Sequence, residues 1–240
     1  LIAASYDSEL TAFESLLPPL FAAFDALSEN SAQKLALADK VALLRAWDWR
    51  YSLTSTATSL AVFWGQELGE LTGKQAREQG VPVVDFMATE KVTAAQRLAA
   101  LASAADKLQR DFGHWQTPWG EINRFQRLTG DVVQPFDDAQ ASLPVPYASG
   151  NWGALAAYGQ SSKSTTKRIY GERGNSFVAA VEFGPRIRAK SILAGGQSGD
   201  PTSPHFNDQA AMYARGAFKE VLFYPEDVSK HLERRYRPGE

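Results

Sequence analysis

Residues able to carry chemistry gather between Gly195 and Gln209. There Gly195-Gly196-Gln197-Ser198-Gly199-Asp200-Pro201 is followed closely by His205, Asp208 and Gln209. A serine with a histidine downstream invites a serine-hydrolase reading. A nucleophile elbow, however, needs Gly-x-Ser-x-Gly, because both flanking positions must tolerate a strained strand-to-helix turn. Here the string is Gly196-Gln197-Ser198-Gly199-Asp200, with the second glycine misplaced. The stretch reads instead as a tight turn rich in backbone donors. His114, His205 and His231 lie far apart in sequence and no HExxH occurs, so no metal is expected. His205, between Pro204 and Phe206, fits a hydrogen-bonded structural histidine. Neither Gly-x-x-x-x-Gly-Lys-Ser/Thr nor Gly-x-Gly-x-x-Gly is present, and no cofactor is expected.

The loop must be positioned by what flanks it. Phe177, Ala179, Val181 and Phe183 alternate with Ser176, Val178, Ala180 and Glu182, a period-two pattern with both faces mostly apolar. This predicts a strand between two covering layers. Gly184-Pro185 supplies a turn, and Ile187, Ala189, Ser191 and Leu193 form the return strand, with Arg188 and Lys190 on its wetter side. Beyond the loop, a short helix is predicted from Asn207 to Arg215, with Asn207 or Asp208 near its cap. Lys219, Val221 and Phe223 then suggest an edge strand, and Pro225 opens a charged helical tail.

Upstream the pattern is helical. Leu10, Phe13, Leu17, Leu20, Phe21 and Phe24 recur at helical spacing, with a break or second start expected at Pro18-Pro19. Ser31 caps a helix carrying Leu37, Val41 and Leu44, which ends near Trp47-Asp48-Trp49-Arg50, a cluster suited to a buried anchor with satisfied polar tips. Ala57, Leu60, Ala61, Trp64, Leu68 and Leu71 mark the next helix, expected to stop around Gly69 and Gly73. Thr93 with Gln96 forms a capping box before Leu98, Leu101, Ala105, Leu108 and Phe112. From His114 onward, proline and glycine punctuate short apolar runs. Leu143 to Gly153 is too rich in proline for a central strand, and Gln160 to Lys167 reads as an exposed link. The fold class is therefore α+β: a helical scaffold over residues 1–113, then a strand- and loop-rich region over 114–240.

Composition sets the outer bounds. With 44% apolar and 22% charged residues over 240 positions, the chain is globular and can bury a sizeable core. A formal net charge of −2 provides no field for nucleic acid or an anionic membrane, so neither is an expected partner. Zero cysteines remove disulfides and thiol chemistry and leave the compartment open. The opening Leu1-Ile2-Ala3-Ala4-Ser5 lacks a basic region, a long apolar run and an initiating methionine, which fits a processed piece.

The order Gly174-Asn175-Ser176-Phe177, Val181-Glu182-Phe183, Gly195 to Pro201, Ser203-Pro204-His205-Phe206, Asp208-Gln209 and Met212-Tyr213 resembles the C-terminal part of the β chain of the penicillin acylase family, a group of N-terminal nucleophile hydrolases. Trp119-Gly120-Glu121-Ile122-Asn123-Arg124 and the closing stretch from Glu220 to Glu240 are similar to its aculeacin A and acyl-homoserine lactone acylase branch. The resemblance implies strands that help complete an αββα sandwich. It also implies hydrolysis of the amide between an acyl group and an amine in acyl-homoserine lactones, lipopeptides or β-lactam side chains. The family nucleophile is an N-terminal residue whose own α-amino group serves as base. Leu1 cannot fill that role, so no catalytic residue is assigned to this chain, which alone is expected to be inactive. Gly196, Gln197, Ser198, His205, Asp208 and Gln209 are instead expected to support the sheet that presents the nucleophile. The implied partners are the remaining β-chain segment, the α chain of the same precursor and a small acyl amide. The implied location is periplasmic or secreted. A reading from another class is a non-catalytic binding or assembly module with Trp115, Trp119, Tyr147 and Trp152 lining an aromatic groove.

Overall fold

A computed structural model describes residues 2–160 and 165–237. Leu1 and most of the expected link after Gln160 lie outside the described residues. Five helices come first: α1 (Phe13–Asp25), α2 (Ala32–Arg45), α3 (Thr56–Glu78), α4 (Val83–Met87) and α5 (Ala94–Phe112). Their starts are chemically specified. Ser31 and Ser55 each accept a backbone amide from Lys34 and Thr58, and Thr93 with Gln96 closes the capping box. Gly113 ends α5 at φ +90°, a conformation that side-chain-bearing residues rarely adopt. No described helix is long and apolar enough to cross a membrane.

Two expectations fail here for visible reasons. α1 runs unbroken through Pro18 and Pro19. The carbonyls those rings would strand belong to Glu14 and Ser15, which are exposed and open to water, while Leu16, Leu17, Leu20 and Phe24 hold the opposite face in the core. α3 likewise continues past Gly69 and Gly73 to Glu78. Around Gly69, α4 packs on α3, with Val83 and Met87 3.6–3.7 Å from where a Cβ would stand, an ordinary contact distance. Packing thus outweighs the modest helix penalty of glycine, and Leu71 is left exposed instead of joining the buried stripe.

The second half begins with α6 (Trp119–Ile122) and contains β1 (Asn123–Phe125), β2 (Leu143–Pro144), β3 (Tyr158–Gly159), β4 (Ile169–Tyr170) and β5 (Arg173–Gly174). It continues through β6 (Phe177–Glu182), β7 (Arg188–Leu193), α7 (Ala210–Ala214), β8 (Lys219–Glu220) and α8 (Pro225–Lys230). These strands make three small sheets ordered β2-β1-β4, β3-β5 and β6-β7-β8. The proline-bearing β2 lies at an edge, where a missing donor is tolerated. α7 starts later than expected and has no side-chain cap; Gln209, not Asn207 or Asp208, precedes it.

One hydrophobic core joins both halves, running from Leu10, Phe13 and Trp64 to Trp119, Val145, Trp152, Ile192 and Tyr213. Trp47 anchors into it with its Nε1 donating to the Arg50 carbonyl at 2.9 Å, as the tryptophan cluster implied. The β6–β7 hairpin is the exception. Phe177 is 62% exposed and Phe183 83%, with Val181 also exposed, so β6 has no second covering layer among the described residues. Strict alternation identified the strand correctly but could not show whether both its faces are covered.

Candidate functional site

β7 delivers the chain into the Gly195–Asp200 loop, and a backbone reversal closes that loop on the segment before α7. Gly195 turns at φ +85°, and its carbonyl accepts the Gln209 amide at 2.8 Å. The Ser198 amide donates to the His205 carbonyl at 3.1 Å. Gly196 lies between these contacts: a Cβ there would stand 2.1 Å from the His205 oxygen and 2.7 Å from Asp208 Oδ1. No larger residue fits without moving backbone. Asp200 accepts the Thr202 amide at 2.9 Å and its hydroxyl at 2.8 Å, and these bonds hold its carboxyl below the ordinary range.

A residue missed in the sequence fastens this loop. Arg127 donates through Nη1 to the Phe206 carbonyl at 2.7 Å and the Gly196 carbonyl at 3.4 Å, and through Nη2 to the Ser198 carbonyl at 2.9 Å. Its guanidinium also lies 4.2 Å from the centroid of the Phe206 ring. Asn207 completes the exchange by donating Nδ2 to the Arg127 carbonyl at 3.1 Å. The five donors of a planar guanidinium suit this task of gathering several carbonyls at once. Arg127 follows β1 in a stretch with no motif, so only its three-dimensional partners mark it.

His205 and Asp208 are brought together, but not with the Ser198 hydroxyl. The imidazole Nδ1 lies 2.9 Å from Asp208 Oδ2, and Nε2 lies 3.3 Å from Glu233 Oε2. Both contacts raise the histidine pKa, the hydrogen bond to Asp208 first and that to Glu233 second. A general base must offer an unprotonated nitrogen to the hydroxyl it activates. Here both nitrogens face carboxylates, while Ser198 Oγ accepts the Asp200 amide at 3.1 Å. The arrangement is suited to holding a loop, not to activating Ser198.

The other expected site residues divide. Gln197 is exposed, whereas Gln209 is 5% exposed and leaves its Oε1 without a hydrogen-bond partner among the described residues. No described group of histidine, aspartate and glutamate is arranged to hold a metal. The aromatic groove does not form. Trp119, Tyr147 and Trp152 are buried in the core, Trp115 lies under the Lys40 ammonium, and no described cavity is lined by all four. Their rings are large enough to fill the space beneath the loops, and burial there outweighs display.

The model of the penicillin amidase family matches residues 1–230, and the chain belongs to that family. Among solved structures, a thermostable penicillin G acylase from Alcaligenes faecalis is similar at 16% identity and a TM-score of 0.44. The match covers 96% of this chain and 47% of that one, so the present chain spans about half the length of the acylase it matches.

Proposed function

We propose that this chain is the C-terminal portion of the β chain of an acylase, a supporting half of an amide hydrolase whose nucleophile lies on other residues. The observation that carries the reading is the family match across residues 1–230. Two structural features support it. The Ser198–His205–Asp208 assembly is engaged in holding its own loop, and the exposed face of β6 is suited to cover by further polypeptide of an αββα sandwich.

In the complete enzyme an N-terminal serine attacks the acyl carbon, with its own α-amino group taking the hydroxyl proton. The C–N bond breaks, the amine leaves with a proton, and the acyl ester is hydrolysed by water. The reading extends to the aculeacin A and acyl-homoserine lactone acylase branch, with acyl-homoserine lactones, lipopeptides and β-lactam side chains as substrates. It also extends to the remaining β-chain segment and the α chain as partners, and to a periplasmic or secreted location. The near-neutral charge supports a small-molecule substrate over nucleic acid or a membrane surface. The binding-module reading loses its groove to core packing and is not favoured.

The test is to incubate the full-length protein with N-acyl-homoserine lactones, acylated lipopeptides and penicillins and to measure released acid and amine. Cleavage of at least one class, with none by residues 1–240 alone, is the expected result. Equal turnover by the isolated 240-residue chain would overturn the proposal, as would no turnover of any acyl amide.

A further inference from the structure

A strained turn joins α2 to α3. Trp49 stands at φ +61°, the one non-glycine residue with a positive φ among the described residues. In that region the Cβ of an L-residue crowds the following carbonyl oxygen, and a bulky side chain stays there only where its surroundings hold it. Part of the hold comes from within the turn: the Asp48 carboxylate accepts the Arg50 amide at 3.1 Å, and Trp47 Nε1 donates to the Arg50 carbonyl at 2.9 Å. The rest comes from the segment ahead of α1. The Leu10 amide donates to the Trp49 carbonyl at 2.8 Å and the Tyr51 amide to the Ser8 carbonyl at 2.9 Å, on either side of an antiparallel bridge between Glu9 and Arg50. The Arg50 guanidinium then reaches Asp7 at 2.6 Å and Glu9 at 3.3 Å, and the Tyr51 hydroxyl donates to the Asp7 carbonyl at 3.2 Å.

Residues 2–10 therefore form a strap buttoned to the turn at Trp49, Arg50 and Tyr51. Its inner end, Leu10, is fully buried. At its outer end, Ile2 and Ala3 line both a cavity of about 850 Å³ beside the β6–β7 hairpin and one of about 430 Å³ beside Tyr51 and Tyr147. The ion pairs that fasten the strap are half exposed, where water weakens each of them. We propose that the Trp47–Tyr51 turn is a strained clasp for this strap, and that strap and turn open and close as one unit, moving the wall that the two cavities share. Loss of the strap's bonds frees Trp49 to return to an ordinary backbone region, and relaxation of Trp49 carries its carbonyl away from the Leu10 amide. Each event removes what holds the other.

The test is hydrogen exchange read by mass spectrometry on the full-length protein, in peptides that cover residues 2–12 and 47–53. Arg50→Gln removes both ion pairs and keeps a polar side chain. Exchange should speed roughly three- to tenfold, by the same factor in both stretches, with α3 and α5 unchanged. Faster exchange in one stretch alone, or in neither, would overturn the proposal. Trp49→Gly and Trp49→Ala both remove the indole, but only glycine is at ease at this φ. The glycine variant should therefore exchange about fivefold more slowly than the alanine variant in both stretches. Equal rates in the two variants would show that the closed turn holds no strain, and the clasp would be abandoned.

Discussion

Leu101 in α5 is wholly buried, whereas Phe183 beside the β6–β7 turn is 83% exposed, although both belong to strongly periodic apolar patterns. The helices pack their stripes on one another: α3 lies against α4 and α5, and α1 against α5. The hairpin has its ladder to β7 and a buried Ile192 on one side, while Phe177, Val181 and Phe183 face solvent. Periodicity thus specifies an element, but cover requires a partner surface. The helical region supplies its own partner surfaces, whereas one face of β6 meets none among the described residues.

The largest expected effect lies in the helical half. Trp64 is fully buried, and its Nε1 donates to the Arg97 carbonyl at 3.0 Å. Trp64→Ala should cost about 3–5 kcal/mol in urea denaturation, as large-to-small core changes do. A loss under 1 kcal/mol would show that this half is not the stability core. Next comes the Arg127 clamp within the second half. Arg127→Ala removes the donors to the Gly196, Ser198 and Phe206 carbonyls and should cost roughly 2–3 kcal/mol. Amide exchange should speed up across residues 195–209 and leave α3 and α5 unchanged. Arg127→Lys should restore little, because an ammonium cannot reproduce the fork.

The smaller effects sharpen the contrast. In residues 1–240 alone, Phe183→Ser should change stability by no more than about 0.5 kcal/mol, since an exposed ring has little burial to lose. In the full-length protein the same change should cost several times more if β6 is covered there. Equal, negligible costs in both would contradict the cover. The smallest effect concerns His205. Its folded pKa is raised above 6.5, so the stabilisation from Asp208 and Glu233 is full below that value and fades as pH rises through the folded pKa. An NMR titration should place its midpoint above 6.5, and Glu233→Gln should bring that midpoint down.

Much of the helical half was legible because local chemistry marks it: Ser31 and the Thr93–Gln96 box specify starts, while the Ser55 cap showed only in the structure. The continuity of α1 and α3 was not legible, since it depends on which carbonyls meet water and on the packing of α4 and α5 against α3. In the candidate site, the tight Gly195–Asp200 turn and a hydrogen-bonded His205 were legible, but the Asp208 partner of that histidine showed only in the structure. Arg127 and Glu233 were not legible, because their contacts span long stretches of chain with no shared motif.

The most direct measurement treats the full-length protein with a serine-directed acylating reagent and maps the modified peptide by mass spectrometry. The account predicts one stoichiometric adduct on a residue outside this 240-residue stretch, with Ser198 unmodified. Stoichiometric acylation of Ser198, accompanied by loss of amide hydrolysis, would contradict it.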